Sequence, residues 1–131
     1  MQCRVDTTAA LDRPFLIKRE GFMRCVDQED LACREVANVE NRYLAEWFYE
    51  RNGARFFNLP AFYLKKQRAF FINGRHRTVL LARYLDRLPM ALAQIDQESE
   101  STLQSLVDRP LSNGEVIFLP DLPIAGAIDG T

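Results

Sequence analysis

The chain has few cysteines, a single histidine and no long apolar run. Its 131 residues include three cysteines, Cys3, Cys25 and Cys33. An odd number of thiols without zinc-ligand spacing argues against a disulfide framework and against a structural metal. No apolar stretch approaches the ~20 residues that span a bilayer, and the N-terminus lacks the basic-then-apolar order of a signal peptide. We therefore expect a cytoplasmic bacterial protein without membrane insertion.

The composition excludes a mainly disordered chain. Apolar residues make up 47% of the sequence and charged residues 27%, values typical of a globular protein with a real core. The length fits one domain of ordinary size. We expect a single domain over residues 1–131, with a loose arm or short edge element at 1–13 and an irregular tail at 121–131.

The net charge of −1 conceals a basic block. Residues 65–87 contain one acid, Asp86, and carry a net charge of +6, so the remaining residues carry −7. The seven basic residues of the block are Lys65, Lys66, Arg68, Arg75, Arg77, Arg83 and Arg87. A concentration of this kind favours a polyanionic partner, either a nucleotide or a nucleic acid. For Arg83 and Arg87 alone, a solvated helix face is the better interpretation.

Apolar periodicity predicts a mixed α/β order of elements. Strands are predicted at Phe15–Lys18, Phe22–Val26, Arg55–Phe57, Met90–Ile95 and Val116–Leu119, and a hairpin at Ala61–Leu64 and Arg68–Ile72. Helices are predicted from Asn38 to Arg51, from Arg75 to Leu85, and from the polar cluster at Gln97 to a point before Pro110. The pair Asn52-Gly53 is expected to end the first of these helices. The predicted fold class is α+β, with a small mixed sheet and flanking helices.

The segment from Phe70 to Thr78 carries the clearest chemical signal. An apolar run, Phe70-Phe71-Ile72, stops at Asn73-Gly74, three basic residues follow, and an amphipathic pattern then begins. Gly74 permits a sharp turn and a close approach of a ligand to the backbone. The first turn of the following helix leaves N–H groups unpaired at its positive end. The pattern therefore predicts an anion site, most simply one for phosphate.

These residues resemble the nucleotide site of the ParB/sulfiredoxin-like superfamily. Its members carry a Gly-x-x-Arg signature between a strand and a helix, and the matching residues here are Gly74-Arg75-His76-Arg77. Leu88-Pro89 followed by the strand at Met90–Ile95 is also similar to the family pattern. The resemblance covers about residues 70–95 and is topological elsewhere. It implies a ParB-like domain that binds ATP or CTP, with Mg²⁺ as a companion ion.

The resemblance implies several activities, and the residues narrow them. In sulfiredoxin a catalytic Cys precedes the His-Arg pair, whereas this chain has Arg75 at that position. We therefore do not expect sulfiredoxin activity. A partition ParB carries a helix-turn-helix domain after the nucleotide domain, and the 36 residues after Ile95 are too few for that domain together with a dimerisation region, so we do not expect a complete ParB. The size resembles that of plasmid fertility-inhibition factors, which are associated with nucleotide hydrolysis and nuclease activity. We therefore expect a protein that acts with DNA, or with the plasmid transfer or partition machinery.

Each residue of the turn receives a role as a hypothesis. The phosphate-binding residues would be Gly74, Arg75, His76, Arg77 and Thr78, with Arg77 as a bidentate contact and Thr78 preferably capping the helix. His76 and Arg77 are the catalytic candidates, because a histidine near its usual pKa can act as acid or base. A helix-capping surface histidine remains the alternative for His76. A catalytic or Mg²⁺-binding acid is not distinguished among Asp27, Glu29, Asp30 and Glu40.

The basic residues before the turn suggest contact with nucleic acid. Lys65, Lys66 and Arg68 alternate with aromatic pairs, a pattern that can hold single strands. Paired aromatics in short strands serve more often as core, however, and core is the preferred interpretation. An alternative function also stays open, in which the ParB-like fold is catalytically inactive and serves as a protein–protein interaction module.

Overall fold

The computed structural model describes residues 1–27, 29 and 47–119. Within these ranges the chain forms nine strands in two mixed sheets, with three short helices and a 3₁₀ turn, which confirms the predicted α+β class. The elements are β1 (Gln2–Asp6), β2 (Arg13–Lys18), α1 (Arg19–Cys25), β3 (Phe48–Arg51), β4 (Ala54–Asn58), β5 (Ala61–Lys65), β6 (Arg68–Asn73), α2 (Arg75–Leu81), β7 (Arg87–Ile95), the 3₁₀ turn (Gln97–Ser99), α3 (Glu100–Leu106), β8 (Val107–Pro110) and β9 (Val116–Phe118).

The four-stranded sheet has the order β3-β4-β1-β9. Strand β1 runs parallel to β4 and antiparallel to β9, so it lies inside the sheet. The expectation of a loose arm or edge element at 1–13 is therefore wrong for Gln2–Asp6. Cys3 and Val5 alternate with exposed residues and are buried on the inner face. Two alternating apolar residues are a weak sequence signal, and pairing on both sides makes the strand stable.

The five-stranded sheet has the order β6-β5-β7-β2-β8. The hairpin predicted at 61–72 is confirmed, and its turn residues Lys66 and Gln67 both have positive φ angles, 52° and 64°. Strand β5 runs parallel to β7, which is buried continuously from Leu88 to Leu92. Burial of consecutive residues is typical of a strand that is covered on both faces.

One predicted strand is a helix in the structure, because tertiary contacts determine its conformation. The segment Phe22–Val26, predicted as a strand, belongs to helix α1 except for Val26. The ring of Phe22 packs edge-on against Phe62, with 5.3 Å between centroids. The helix approaches α3 so closely that a Cβ on Gly21 would lie 3.0 Å from Leu106 Cδ2. An isolated seven-residue helix is marginal, so packing rather than propensity selects this conformation.

The helix predicted from Asn38 to Arg51 is corrected at its end. Residues 38–46 lie outside the described ranges, and Phe48–Arg51 forms strand β3. The pair Asn52-Gly53 is the turn of the β3–β4 hairpin, with φ angles of 52° and 78°. A left-handed pair serves equally as a helix end or a hairpin turn, so the sequence signal is ambiguous.

Smaller differences concern other element ends. The helix predicted to reach Leu85 ends at Leu81. The strand Val107–Pro110, which pairs with β2, is not among the predicted elements. The predicted tail at 121–131 lies outside the described residues.

One hydrophobic cluster contains side chains of both sheets and of the helices, among them Val5, Phe57, Phe62, Leu80 and Met90. All five are fully buried. For Phe57 and Phe62 the preferred interpretation as core is confirmed. None of the helices in the described part of the chain is long and apolar enough to cross a membrane.

We expect Val5→Ala to lower the free energy of unfolding by about 2 kcal/mol, because it leaves a cavity beneath an interior strand. Leu11→Ala is the matched control, since Leu11 is 91% exposed in the segment after β1. It should change stability by less than about 0.5 kcal/mol. Urea denaturation measures both, and equal effects would contradict the placement of β1 in the core.

Candidate functional site

The turn at 73–78 joins β6 to α2 and takes its shape from Gly74. Gly74 is the N-cap of the helix, with φ 80° and ψ 20°, and no side chain caps that end. The amide N–H of Thr78 donates to the carbonyl oxygen of Gly74 at 2.9 Å, the first bond of the helix. The N–H groups before it have no acceptor within a helix. The turn therefore presents backbone donors of the kind that phosphate oxygens accept.

Arg77 is buried beneath the turn and connects it to another segment. Its guanidinium donates to the carbonyl oxygen of Asn58 at 2.8 Å and to Oδ1 of Asn73 at 3.0 Å. The side chain is only 7% exposed, and burial lowers its pKa to about 10. Within the described ranges no carboxylate forms an ion pair with it. Arg77 is thus a fixed positive charge whose partners are neutral oxygens.

Gly74 is also required by the packing of the turn. A Cβ at this position would lie 2.5 Å from Cβ of Pro60 and 2.6 Å from a terminal nitrogen of Arg77. Any larger residue would therefore push the turn away from Pro60 and disturb the Arg77 contacts. The glycine of the predicted signature serves close packing as well as the left-handed backbone.

The other three predicted residues have different environments. Arg75 is exposed, and His76 is half-buried. Burial, together with the charge of Arg75, lowers the pKa of His76 and so favours the neutral imidazole. Thr78 is buried and its hydroxyl donates to the carbonyl oxygen of Gly74 at 2.9 Å. The preference for Thr78 as the helix cap is therefore wrong, because its side chain bonds back along the helix instead.

A polar group that sequence reasoning missed lies where the parallel strands β1 and β4 end. Asp6 and Asn58 are partners in the register of the two strands. The Asp6 carboxylate accepts hydrogen bonds from the hydroxyl of Tyr49 and, at 2.9 Å, from the amide of Thr7. Burial and the bond to Asp6 raise the pKa of Tyr49 to about 12. The carboxyl ends of parallel strands are a common position for binding sites.

Asn58 links this polar group to the turn. Its carbonyl accepts from Arg77, while its side-chain oxygen accepts from the hydroxyl of Thr8 at 3.0 Å. The next residue, Leu59, donates its amide to the carbonyl of Asp6 at 3.0 Å. The signal available in the sequence is the acid at the end of the alternating segment Gln2–Asp6, which is too short to distinguish a strand from an arm.

The basic block does not form one surface. Lys65, Lys66 and Arg68 lie at the β5–β6 hairpin turn, whereas Asn73 and Gly74 lie at the opposite end of β6. The six residues of that strand separate the two groups by roughly 15 Å. Arg87 pairs with Asp108 at 3.1 Å. The positive charge at the turn is therefore smaller than the net charge of residues 65–87 suggests.

The acidic residues considered as catalytic or Mg²⁺-binding candidates lie away from the turn or outside the residues that the structure describes. Asp27 lies at the hairpin end of β6, where its carboxylate is 3.9 Å from Arg68, and the amide of Glu29 donates to it. Asp30 and Glu40 lie outside the described residues. Within the described ranges no group of three His, Cys, Asp or Glu side chains could hold a metal ion.

Comparisons with known proteins give no assignment. No protein-family model, curated protein or solved structure shows a significant match to the chain. The ParB-like resemblance therefore depends on the residues of the turn and on the strand that follows it.

We expect Gly74→Ala to destabilise the protein by about 3 kcal/mol, through the strained positive φ and the clash with Pro60. Gly114→Ala is the control, because Gly114 has a similar φ of 84° and open space where a Cβ would lie. It should cost about 1 kcal/mol, from backbone strain alone. Thermal and urea unfolding measure both, and equal losses would show that the packing against Pro60 carries no energy.

The lowered pKa of His76 predicts a pH dependence. Its folded pKa lies below the unfolded value of about 6.5, so the unfolded state takes up the proton first on acidification. The difference in proton uptake between the two states has no effect on stability above that pH and lowers the free energy of unfolding below it. Wild type should therefore lose more stability than His76→Gln between about pH 7.5 and about pH 5.5. Parallel curves in urea denaturation would contradict the shift.

Proposed function

We propose that this chain is a nucleotide-phosphate-binding, ParB-like protein that acts with DNA in plasmid or mobile-element biology, as a fertility-inhibition or partition-like factor. Its ligand is ATP or CTP, bound at the turn of residues 73–78. The observation that carries the proposal is the buried Arg77 guanidinium, which has no carboxylate partner in the described chain. An uncompensated buried cation is stabilised by a nearby anion.

The phosphate is held by the backbone and by Arg75. The N–H groups at the start of α2 face the phosphate oxygens, and the exposed Arg75 side chain adds a charge-assisted contact. Arg77 contributes its charge from below, because both of its terminal nitrogens already donate to Asn58 and Asn73. Thr78 supports the turn through its bond to Gly74 rather than touching the ligand.

The turn also supports cleavage of a phosphate ester. As a water attacks the phosphorus, the imidazole of His76 can accept the proton of that water, while the phosphorus–oxygen bond to the leaving group breaks and the leaving oxygen takes the bonding electrons. The fixed charge of Arg77 can stabilise negative charge that develops on the phosphoryl oxygens. Mg²⁺ would arrive with the nucleotide phosphates, and no step here is assigned to it.

The β5–β6 hairpin is the proposed DNA contact. Its turn presents Lys65, Lys66 and Arg68, all exposed. Beside them the rings of Tyr63 and Phe70 stack with centroids 5.1 Å apart on a half-buried face. Cations next to aromatic rings suit a nucleic acid backbone and its bases.

We expect Arg75→Gln to weaken ATP or CTP binding by about tenfold or more without changing the melting temperature of the free protein, because the side chain is exposed and its contact is charge-assisted. Isothermal titration calorimetry and thermal shift with ATP, CTP, GTP and NAD measure the effect. For wild type, nucleotide at ~1,000-fold excess over Kd should stabilise by about 4 kcal/mol.

Arg83→Gln is the matched control, since Arg83 is an exposed arginine just beyond the other end of α2. It should leave nucleotide affinity unchanged. Equal weakening by both variants would show a diffuse charge effect and would remove the site from the turn. Arg77→Ala is less informative about binding, because it removes the contacts with Asn58 and Asn73 and should unfold the turn.

A catalytically inactive interaction module is the second candidate. A mostly apolar groove of about 300 Å³ lies between α1 and α2, lined by Met23, Val79 and Ala82 with Arg19 and Arg83 at its rim. Exposed apolar surface of this kind can receive a partner. This candidate predicts that none of the nucleotides raises the melting temperature, so the same thermal-shift panel separates the two functions.

A further inference from the structure

The face of the four-stranded sheet that points away from the core carries cations and aromatic rings. Cys3, Val5 and Phe57 face the core, so their neighbours along the strands face outward. We call this surface the outer face. Its side chains include Arg4 and Asp6 on β1, Tyr49 and Arg51 on β3, Phe56 on β4 and Phe118 on β9, and the Asp6 carboxylate accepts a hydrogen bond from the hydroxyl of Tyr49.

An ordered cation lies on an aromatic stack at one side of the outer face. The rings of Tyr49 and Phe56 are parallel to within 9°, with centroids 5.3 Å apart. The guanidinium carbon of Arg51 lies 4.5 Å from the Phe56 centroid and 5.9 Å from that of Tyr49. Such contacts hold the arginine without neutralising it. The positive charge therefore remains available to an anion.

A cleft of about 430 Å³ lies between Arg51 and Arg4, with Asn52, Asn113 and Gly114 on its walls. The Arg4 guanidinium donates to the carbonyl oxygen of Gly114 at 2.9 Å, which positions it there. No carboxylate is among the described residues that line the cleft. Neither arginine forms an ion pair within the described chain. The cleft is thus complementary to a negatively charged ligand.

Phe118 extends this surface across the sheet. Its side chain is 74% exposed, and it pairs with Gln2 on β1 while Val116 pairs with Arg4. A phenylalanine this exposed offers an open ring face on the same side of the sheet as the arginines. From β9 to β3 the outer face spans three strand spacings, roughly 14 Å, which is wider than a single nucleobase.

We infer that the outer face binds single-stranded nucleic acid. Arg4 and Arg51 contact the phosphates, and an unpaired base stacks on Phe118. The amides of Asn52 and Asn113 are placed to hydrogen-bond to base edges in the cleft. A duplex would not offer its base faces to Phe118, so the surface selects single strands. This inference concerns a surface separate from the turn and does not depend on nucleotide binding there.

The test is fluorescence anisotropy with a labelled oligothymidine of about 20 nucleotides on the full chain. Phe118→Ala should weaken binding by about tenfold through lost stacking. The double variant Arg4→Gln and Arg51→Gln should reduce the slope of log K against log salt by about 1.4, which corresponds to two phosphate contacts on a single strand. Phe118 and both arginines are exposed at the surface, so these variants should melt as wild type does.

Two matched controls share the chemistry but lie elsewhere. Arg13→Gln removes an arginine that lies 5.8 Å from the Phe15 ring, and Leu11→Ala removes an exposed apolar side chain. Both should bind like wild type. Arg68→Gln tests the β5–β6 hairpin. A smaller loss of oligothymidine affinity in this variant than in the outer-face variants supports binding at the outer face.

Four outcomes would overturn the inference. They are the absence of oligothymidine binding by wild type, equal losses in the controls and the outer-face variants, equal affinity for a duplex of the same length, and displacement of the oligonucleotide by polyglutamate of matched charge. The last result would show that the surface recognises acidic proteins instead.

Discussion

The hydrogen bond from Arg77 to the carbonyl oxygen of Asn58 is the contact on which the candidate turn depends. It joins the start of α2, which follows β6 of the five-stranded sheet, to the end of β4 in the four-stranded sheet. Because the guanidinium is buried, loss of the acceptor would leave a charged donor without a partner, which costs more than the bond itself contributes. The position of the turn is therefore set by an obligatory contact.

Because of this contact, the basic residues of the turn differ in burial and in hydrogen bonding. Arg77 is buried and its terminal nitrogens donate to Asn58 and Asn73, so under the proposed function it would act on an anion through its charge. Arg75 is exposed and His76 is half-buried, and burial lowers the pKa of His76. Gly74 makes the arrangement possible, because a side chain there would occupy the space of Pro60 and of the guanidinium. Three adjacent basic residues thus have different environments in the structure.

Prediction from the sequence succeeded where the signal was local. The structure contains three predicted features, namely the hairpin at 61–72, the turn after Asn73 and the strand at 90–95. Each of them is marked in the sequence by turn residues or by a continuous apolar run. It failed at Phe22–Val26, where a short apolar run fits a helix or a strand equally well. It failed at Phe48–Arg51 because the pair Asn52-Gly53 after it can end a helix or turn a hairpin. It also failed at Gln2–Asp6, because a short strand is recognised only through its neighbours.

The sequence by itself determined the α+β class and a glycine-dependent turn with basic residues after it, since these follow from residue type and order. Tertiary structure decided which charges share a surface. It separated Lys65, Lys66 and Arg68 from Gly74 by the length of a strand, and it placed Asp6 and Asn58 side by side at the ends of parallel strands. It also brought Arg4, Arg51 and Phe118 onto one face, because strand pairing joins residues that lie far apart in the chain.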